Sequence, residues 1–200
     1  MNEKRTILVG GGGHASSILE SFGNSIAGYL SKAPNPSLEL PRLGDDNDAK
    51  KFKDRNDFHI AFVFSGIPNM QRRKELIDKY KELNVEFHTF ISPMAMITPG
   101  SLISPGAAIL TGAIINKGVI GENSIINSGA IIEHDTVIGD NVFVGPGAVI
   151  GGLVKIENNV FIGLGAKIRN GIKIVSGVTI GMGSIVTKDV LNPGIYYGVI

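Results

Sequence analysis

Every sixth residue from Ile120 onward is Ile or Val: Ile120, Ile126, Ile132, Ile138, Val144, Ile150, Ile156, Ile162, Ile168, Ile174, Ile180 and Val186. Four residues further on, a second register stays small or β-branched, from Ser124, Ala130 and Thr136 through Val154 and Ala166 to Val190. A period of six is neither the two of a strand nor the 3.6 of a helix. It predicts a chain that lays down a short strand, turns a corner and repeats, with three such segments closing one triangular coil. In such stacked architectures each repeat buries its apolar face only against its neighbours. Glycines such as Gly139, Gly145, Gly163 and Gly181 fall at the corners, where a side chain would crowd the turn.

Composition agrees with a thin aliphatic core. Hydrophobic residues make up 43% of the 200 positions, yet aromatics are only 6% and tryptophan is absent. That length allows one domain or two small ones. A formal net charge of +1 argues against a nucleic-acid surface. With no cysteine there are no disulfides and no thiolate chemistry, which suits a cytoplasmic protein. Residues 1–5 lead into an apolar run too short for a signal peptide, and no segment is long enough to cross a bilayer.

The first ninety residues follow a different grammar. Thr6–Val9 reads as a strand ending at Gly10-Gly11-Gly12-Gly13-His14, and Ala15–Phe22 as a helix. Ser25–Leu30, His59–Phe64 and Val85–Phe90 are further strand candidates. Asp46–Asn56 is polar and expected to be helical, and residues 69–83 place Met70, Leu76, Ile77, Tyr80 and Leu83 on one helical stripe. Ser31–Pro41, with three prolines, reads as loop. Alternating strand and helix signals imply a small parallel α/β sheet, a Rossmann-like domain over 1–90. The hexads begin near Ile91, giving a second domain over 91–200 with a short tail from Asn192-Pro193-Gly194. One irregularity stands out: Ile115 to Ile120 is a step of five, either a shortened corner or a local change of coil shape.

Of four histidines only His134 lies in the repeats, in the hexad Ile132-Glu133-His134-Asp135-Thr136-Val137. The phase puts it on a corner with its side chain outside the core. A histidine between two carboxylates on a rigid corner suits a general base, since a neighbouring carboxylate raises basicity and fixes the tautomer. Taken alone, it also reads as a solvated turn residue. A zinc carbonic anhydrase on such a coil needs three histidine ligands, which the repeats lack, so no metal site is expected. Gly10-Gly11-Gly12-Gly13-His14-Ala15 after a strand and before a helix fits G-x-G-x-x-A, which raises a dinucleotide-dependent oxidoreductase as the competing reading. Against NAD, Leu30 is followed by Ser31-Lys32 rather than by an acid that would hold the ribose.

The repeat resembles the hexapeptide repeat of acyltransferases, and the resemblance implies a left-handed parallel β-helix. The general preference for right-handed parallel crossovers would have pointed the other way. The stretch Asn127-Ser128-Gly129-Ala130-Ile131-Ile132-Glu133-His134-Asp135-Thr136-Val137-Ile138-Gly139 is similar to the catalytic segment of one hexapeptide family. That family comprises the sialic acid O-acetyltransferases and the N-acetyltransferases of nucleotide-linked 4-amino-4,6-dideoxy sugars. Ile7–His14, Ile26–Leu30, Leu43-Gly44-Asp45 and Ile91–Ala95 extend the likeness over nearly the whole chain.

The resemblance implies an acetyl-CoA-dependent acetyltransferase of bacterial surface glycan synthesis. His134 is then the base, Asp135 the acid that supports it, Glu133 a second acid in the same turn, and Asn127 a polar neighbour of the acceptor sugar. Gly12, Gly13 and His14, with Ser65 and Gly66, match positions that hold the acceptor's nucleotide at a helix N-terminus. Ser31-Lys32 stand where the family usually has acids. Phe143, Gly145, Gly152 and Leu164 match the pantetheine wall, and Lys167, Arg169, Lys173 and Lys188 are candidates for CoA phosphates. A family ending of Pro-Ala and basic residues, expected over the CoA site, does not follow Tyr197-Gly198. The family assembly is a homotrimer with sites between subunits.

Overall fold

Two residues of strand and four of corner are what the six-residue period produces. The computed structural model describes residues 5–62 and 69–200 and divides into two compact units, Met1–Thr89 and Phe90–Ile200. In the second unit, successive strands such as Ile131–Ile132, Val137–Ile138 and Phe143–Val144 belong to three different sheets. Among the described residues these sheets hold six, five and seven strands respectively, and the helical rungs are parallel throughout. Ile132 pairs with Ile115 in the coil below and Ile150 in the coil above. The first residue of each strand faces outward and the second inward, as alternation requires. Both sequence registers therefore line the interior, and every member is at most 3% exposed. Each such Ile or Val contributes roughly 1.5–3 kcal/mol by leaving water. At Ser124 in the small register the hydroxyl is spent on the corner backbone: Oγ donates to Gly139 O at 2.8 Å and accepts from Val142 N–H at 2.9 Å.

The three corner columns differ in chemistry. From the seven- to the six-stranded sheet, the third corner residue has positive φ and is glycine: Gly129, Gly147, Gly165. From the five- to the seven-stranded sheet it is, in the middle coils, Asn123, Asn141 and Asn159, with φ of 51° to 60°. From the six- to the five-stranded sheet the left-handed residue is Gly100, Lys117, Asp135, Leu153 and Gly171 in successive coils. Where the corner below is complete, the left-handed residue can donate its N–H to the carbonyl of the second corner residue one coil below, as Asn141 does to Glu122 and Leu153 to His134. The step of five is a shortened corner: Asn116-Lys117-Gly118 links its strands with three residues, and Val119 still pairs with Val137. The tail turns back on the last coils, with Gly194–Tyr196 paired along Val178–Ile180.

The first unit is a four-stranded parallel sheet. β1 (Arg5–Val9) lies between β2 (Ile26–Leu30) and β4 (Asn56–Ile60), and β3 (Arg42–Gly44) flanks β2. Ile7, Leu8 and Val9 are fully buried, the continuous apolar run of a strand covered on both faces. α2 (Met70–Glu82) puts Ile77 and Tyr80 against Ile7 and Val9. α1 (Gly13–Phe22) covers the other face, since its His14 ring stands 5.9 Å from that of His59, the register partner of Leu8. Asn69 starts α2 by accepting the Arg72 N–H at 2.9 Å.

Three expectations need correction. Val85–Phe90 is not a strand of this sheet: Phe87 makes a single bridge to Phe58, and Phe90 already bonds Ala107 as the first strand of the coils. The fourth strand is Arg42–Gly44, on the opposite edge beside β2, with Tyr29 N–H donating to Pro41 O at 3.0 Å. Asp46–Asn56 holds one 3-10 turn, Ala49–Lys51, rather than a helix. The strand expected over His59–Phe64 begins at Asn56 and ends at Ile60, while Val63 and Phe64 lie outside the described residues. Among the described residues no helix is long and apolar enough to cross a membrane.

Candidate active site

His134 is the second residue of a corner whose third, Asp135, has φ 58°. That conformation turns the Asp135 carboxylate back toward the ring, and Asp135 Oδ2 lies 3.0 Å from His134 Nδ1. Both side chains are open to solvent, 55% and 63% exposed. The other ring nitrogen faces the coil above. A Cβ built on Gly152 would sit 2.6 Å from His134 Nε2, so only glycine leaves the ring where it is. Glu133 does not engage the ring. Its Oε2 accepts the His134 main-chain N–H at 3.4 Å and Asn116 Nδ2 at 3.2 Å.

Two residues to which the sequence reading gave no role in the site complete this corner. Thr136 sits in the buried small register, yet its Oγ1 donates to Gly151 O at 2.8 Å and accepts from Val154 N–H at 3.2 Å. It thereby ties the Gly151-Gly152 corner down beside the ring. Asn116 holds Glu133. The available signals were a hydroxyl in an otherwise aliphatic stretch of the register and an asparagine at the irregular step.

The remaining expected contacts of the coils are dispersed within one chain. Asn127, Gly145 and Leu164 belong to the glycine column, not the histidine column. Asn127 Oδ1 accepts the Ser128 N–H at 2.8 Å. Phe143 lies outward on the seven-stranded sheet, stacked on Phe161 with ring centres 5.0 Å apart. Lys167 projects from the six-stranded sheet, and Lys173 from the five-stranded sheet, where it pairs with Glu157 at 3.0 Å. Arg169 and Lys188 lie in the histidine column's upper corners. Only Gly152 of the expected CoA set stands beside His134.

In the first unit, strand order reverses around β1, the arrangement in which ligands bind beyond the carboxyl ends of parallel strands. Gly12 caps α1, and Gly12 and Gly13 have open space where side chains would be. The loop is braced from outside, with Asn35 Nδ2 donating to Gly11 O at 2.7 Å and Tyr29 packed over Gly11. His14 is 9% exposed, and no group among the described residues bonds its Nε2. Burial, aided by the charge of Arg73, pushes His14 down to about 3, so it is neutral at ordinary pH. Arg73, itself lowered to about 9 by burial, donates to Phe62 O and Ile60 O. Beside the loop lies a cavity of about 360 Å³ walled by Val9, Gly10, Leu30, Ser31, Lys32 and Arg72, among others. Ser65 and Gly66 lie outside the described residues.

The repeats match two family descriptions: the bacterial transferase hexapeptide (six repeats) over residues 117–152, and the hexapeptide repeat of succinyl-transferase over residues 153–188. No protein of curated function matches the sequence. Among solved structures, PerB from Caulobacter crescentus in complex with CoA and GDP-perosamine is 26% identical, with 98% of this chain and 95% of that one covered and a TM-score of 0.89. The acetyltransferase domain of PglB from Neisseria gonorrhoeae, in complex with acetyl coenzyme A, is 23% identical with 98% and 96% covered and a TM-score of 0.89. WeeI from Acinetobacter baumannii is 23% identical with 94% and 93% covered and a TM-score of 0.78. The chain thus carries hexapeptide repeats and is similar over nearly its whole length to a perosamine N-acetyltransferase.

Proposed function

We propose that this protein transfers the acetyl group of acetyl-CoA to the amine of a nucleotide-linked 4-amino-4,6-dideoxy sugar, a step of bacterial surface glycan synthesis. The observation that carries this is the corner itself: one imidazole with a carboxylate on Nδ1 and an open glycine main chain against Nε2. Likeness over nearly the full chain to a protein solved with CoA and GDP-perosamine supports both substrates. In this reading the coils form the left-handed helix of the family, and the first unit is a Rossmann-like holder of the nucleotide. We assign the reaction to the cytoplasm, in keeping with a sequence that has no cysteine.

The chemistry follows from the two ring nitrogens. Asp135 accepts from Nδ1–H and so leaves Nε2 with its lone pair free. Nε2 takes a proton from the acceptor amine as the nitrogen attacks the thioester carbonyl carbon. The carbonyl oxygen becomes an oxyanion, and the main-chain N–H of Gly152 is the donor we assign to it. Collapse expels the CoA thiolate, which recovers the proton from the imidazolium. No acyl-enzyme is needed. The acceptor's diphosphate would lie against the N-terminus of α1, where Gly12 and Gly13 leave the backbone open.

Expected contacts split between the glycine and histidine columns of one chain argue for a ring of three copies, each setting one column against its neighbour's other column. Acetyl transfer measured across GDP-, UDP- and dTDP-linked 4-amino sugars, with sialic acid as comparator, tests the reaction. Turnover of an amino sugar nucleotide is expected. Turnover confined to sialic acid hydroxyls would overturn the N-acetyl assignment, and an active monomer in sedimentation would overturn the shared site.

A further inference from the structure

The corner bearing His134 rests on a corner that is one residue short. Full corners of this column read Thr98-Pro99-Gly100-Ser101, Glu133-His134-Asp135-Thr136 and Gly151-Gly152-Leu153-Val154; the short one reads Asn116-Lys117-Gly118. The left-handed residues Gly100, Lys117, Asp135 and Leu153 align these corners. The residue left out is therefore the second, the one that would lie directly beneath His134. Its carbonyl would have taken the Asp135 N–H, as His134 O takes Leu153 N–H and Gly152 O takes Gly171 N–H, both at 2.9 Å.

Side chains occupy the gap. Asn116 Nδ2 reaches Glu133 Oε2 at 3.2 Å, and that same oxygen accepts the His134 N–H at 3.4 Å. Asn116 Oδ1 is met by Thr98 Oγ1 at 3.4 Å, and Thr98 Oγ1 accepts the Lys117 N–H at 2.8 Å. Elsewhere the N–H of a second corner residue is also held by a side-chain oxygen: Glu122 by Asp140, Asp140 by Asn158 and Ser128 by Asn127, each at 2.8 Å. Glu133 thus performs a backbone-holding task that recurs along the coil, at the one place where the coil beneath cannot support the chain.

We propose that Glu133 is a positioning residue for the transfer: with Asn116 it pins the His134 main chain above the missing residue, and Asp135 is the carboxylate that serves the ring. This rests on His134 being the base. Both of Glu133's bonds end on one oxygen, so its task needs an acceptor atom and not a charge. An amide should do it; a methyl group should not.

The test compares Glu133→Gln, Glu133→Ala and Asn116→Ala with the unaltered full chain. The readouts are kcat, KM for both substrates, the pH profile of kcat/KM, and hydrogen exchange at the His134 amide. Glu133→Gln should stay within about 3-fold of the parent kcat, while Glu133→Ala and Asn116→Ala should lose about 10- to 100-fold, the scale of a misplaced catalytic group. KM values and the acid limb of the profile should stay in place, and His134 amide exchange should quicken in the two alanine variants. A Glu133→Gln variant as impaired as Glu133→Ala, or one with a displaced acid limb, would show that charge on the ring matters and would overturn the proposal. So would unchanged exchange in Glu133→Ala. A fully active His134→Ala enzyme would sink the base assignment instead, while the exchange measurement still judges the pinning.

Discussion

The asparagine and histidine columns are built on the same hexads and the same parallel register, yet one is regular and the other is not. In the first, Asn123, Asn141 and Asn159 occupy the left-handed region, which asparagine tolerates because its short polar side chain can bond locally. Asn141 Nδ2 donates to Asn159 Oδ1 at 2.8 Å, and Asp140 and Asn158 cap the corners below them. In the second, Lys117 and Leu153 take that conformation without a short polar side chain, Asp135 turns its own onto the His134 ring, a residue is missing, and a glycine pair leaves the ring room. Left-handed backbone costs a side-chain-bearing residue about 1 kcal/mol or more. The coil tolerates this because its aliphatic interior is indifferent to what the corners carry. Local rules are kept where the column only has to stack, and broken where the chemistry is proposed.

The contrast can be broken most directly at His134. His134→Ala should reduce kcat by roughly 10²- to 10⁴-fold with an unchanged thermal midpoint, since the ring is half exposed and supports no packing. Near-normal turnover would make the histidine column as structural as the asparagine one. Next comes a double dissociation. Gly152→Ala drives a methyl group into the space of Nε2 and should cost about 100-fold in kcat with little loss of stability. Asn141→Ala should cost roughly 1 kcal/mol in denaturant titration, through a lost ladder bond and a strained φ, with kcat intact. If both variants lose the same property, the columns are not specialised. The smallest effect is expected at Lys117→Gly, where relief of the φ of 48° outweighs the added freedom of the unfolded chain. A gain of about 0.5 kcal/mol in stability is anticipated, and a loss would mean that the exposed lysine is held by something besides its backbone.

Much of this could be read from residues alone because periodicity is local. Ile120 to Val186 announces the coil, and the position of His134 in its hexad puts the ring outside. The first unit was less legible. Arg42–Gly44 is too short and too polar to signal a strand, and it becomes one only because β2 offers it an edge. Val85–Phe90 carries a good strand pattern and remains a single bridge because the chain must leave to begin the first coil. Within the candidate site, the resemblance favoured Asp135 over Glu133 as the ring's partner, but the residues alone did not separate them; the left-handed turn at Asp135 puts its carboxylate 3.0 Å from Nδ1.

What the amino-acid order determined by itself is the hexad: which side chains face inward, where corners fall and which corner bears the histidine, all set by neighbours within six positions. Only the tertiary structure decided which residues stand above and below that histidine. Gly152 is one full coil on, and Asn116 reaches Glu133 across 17 positions because the corner between them lost a residue. Stacking joins residues far apart in the chain, and a single deletion shifts every such partnership, so no local pattern can reveal them.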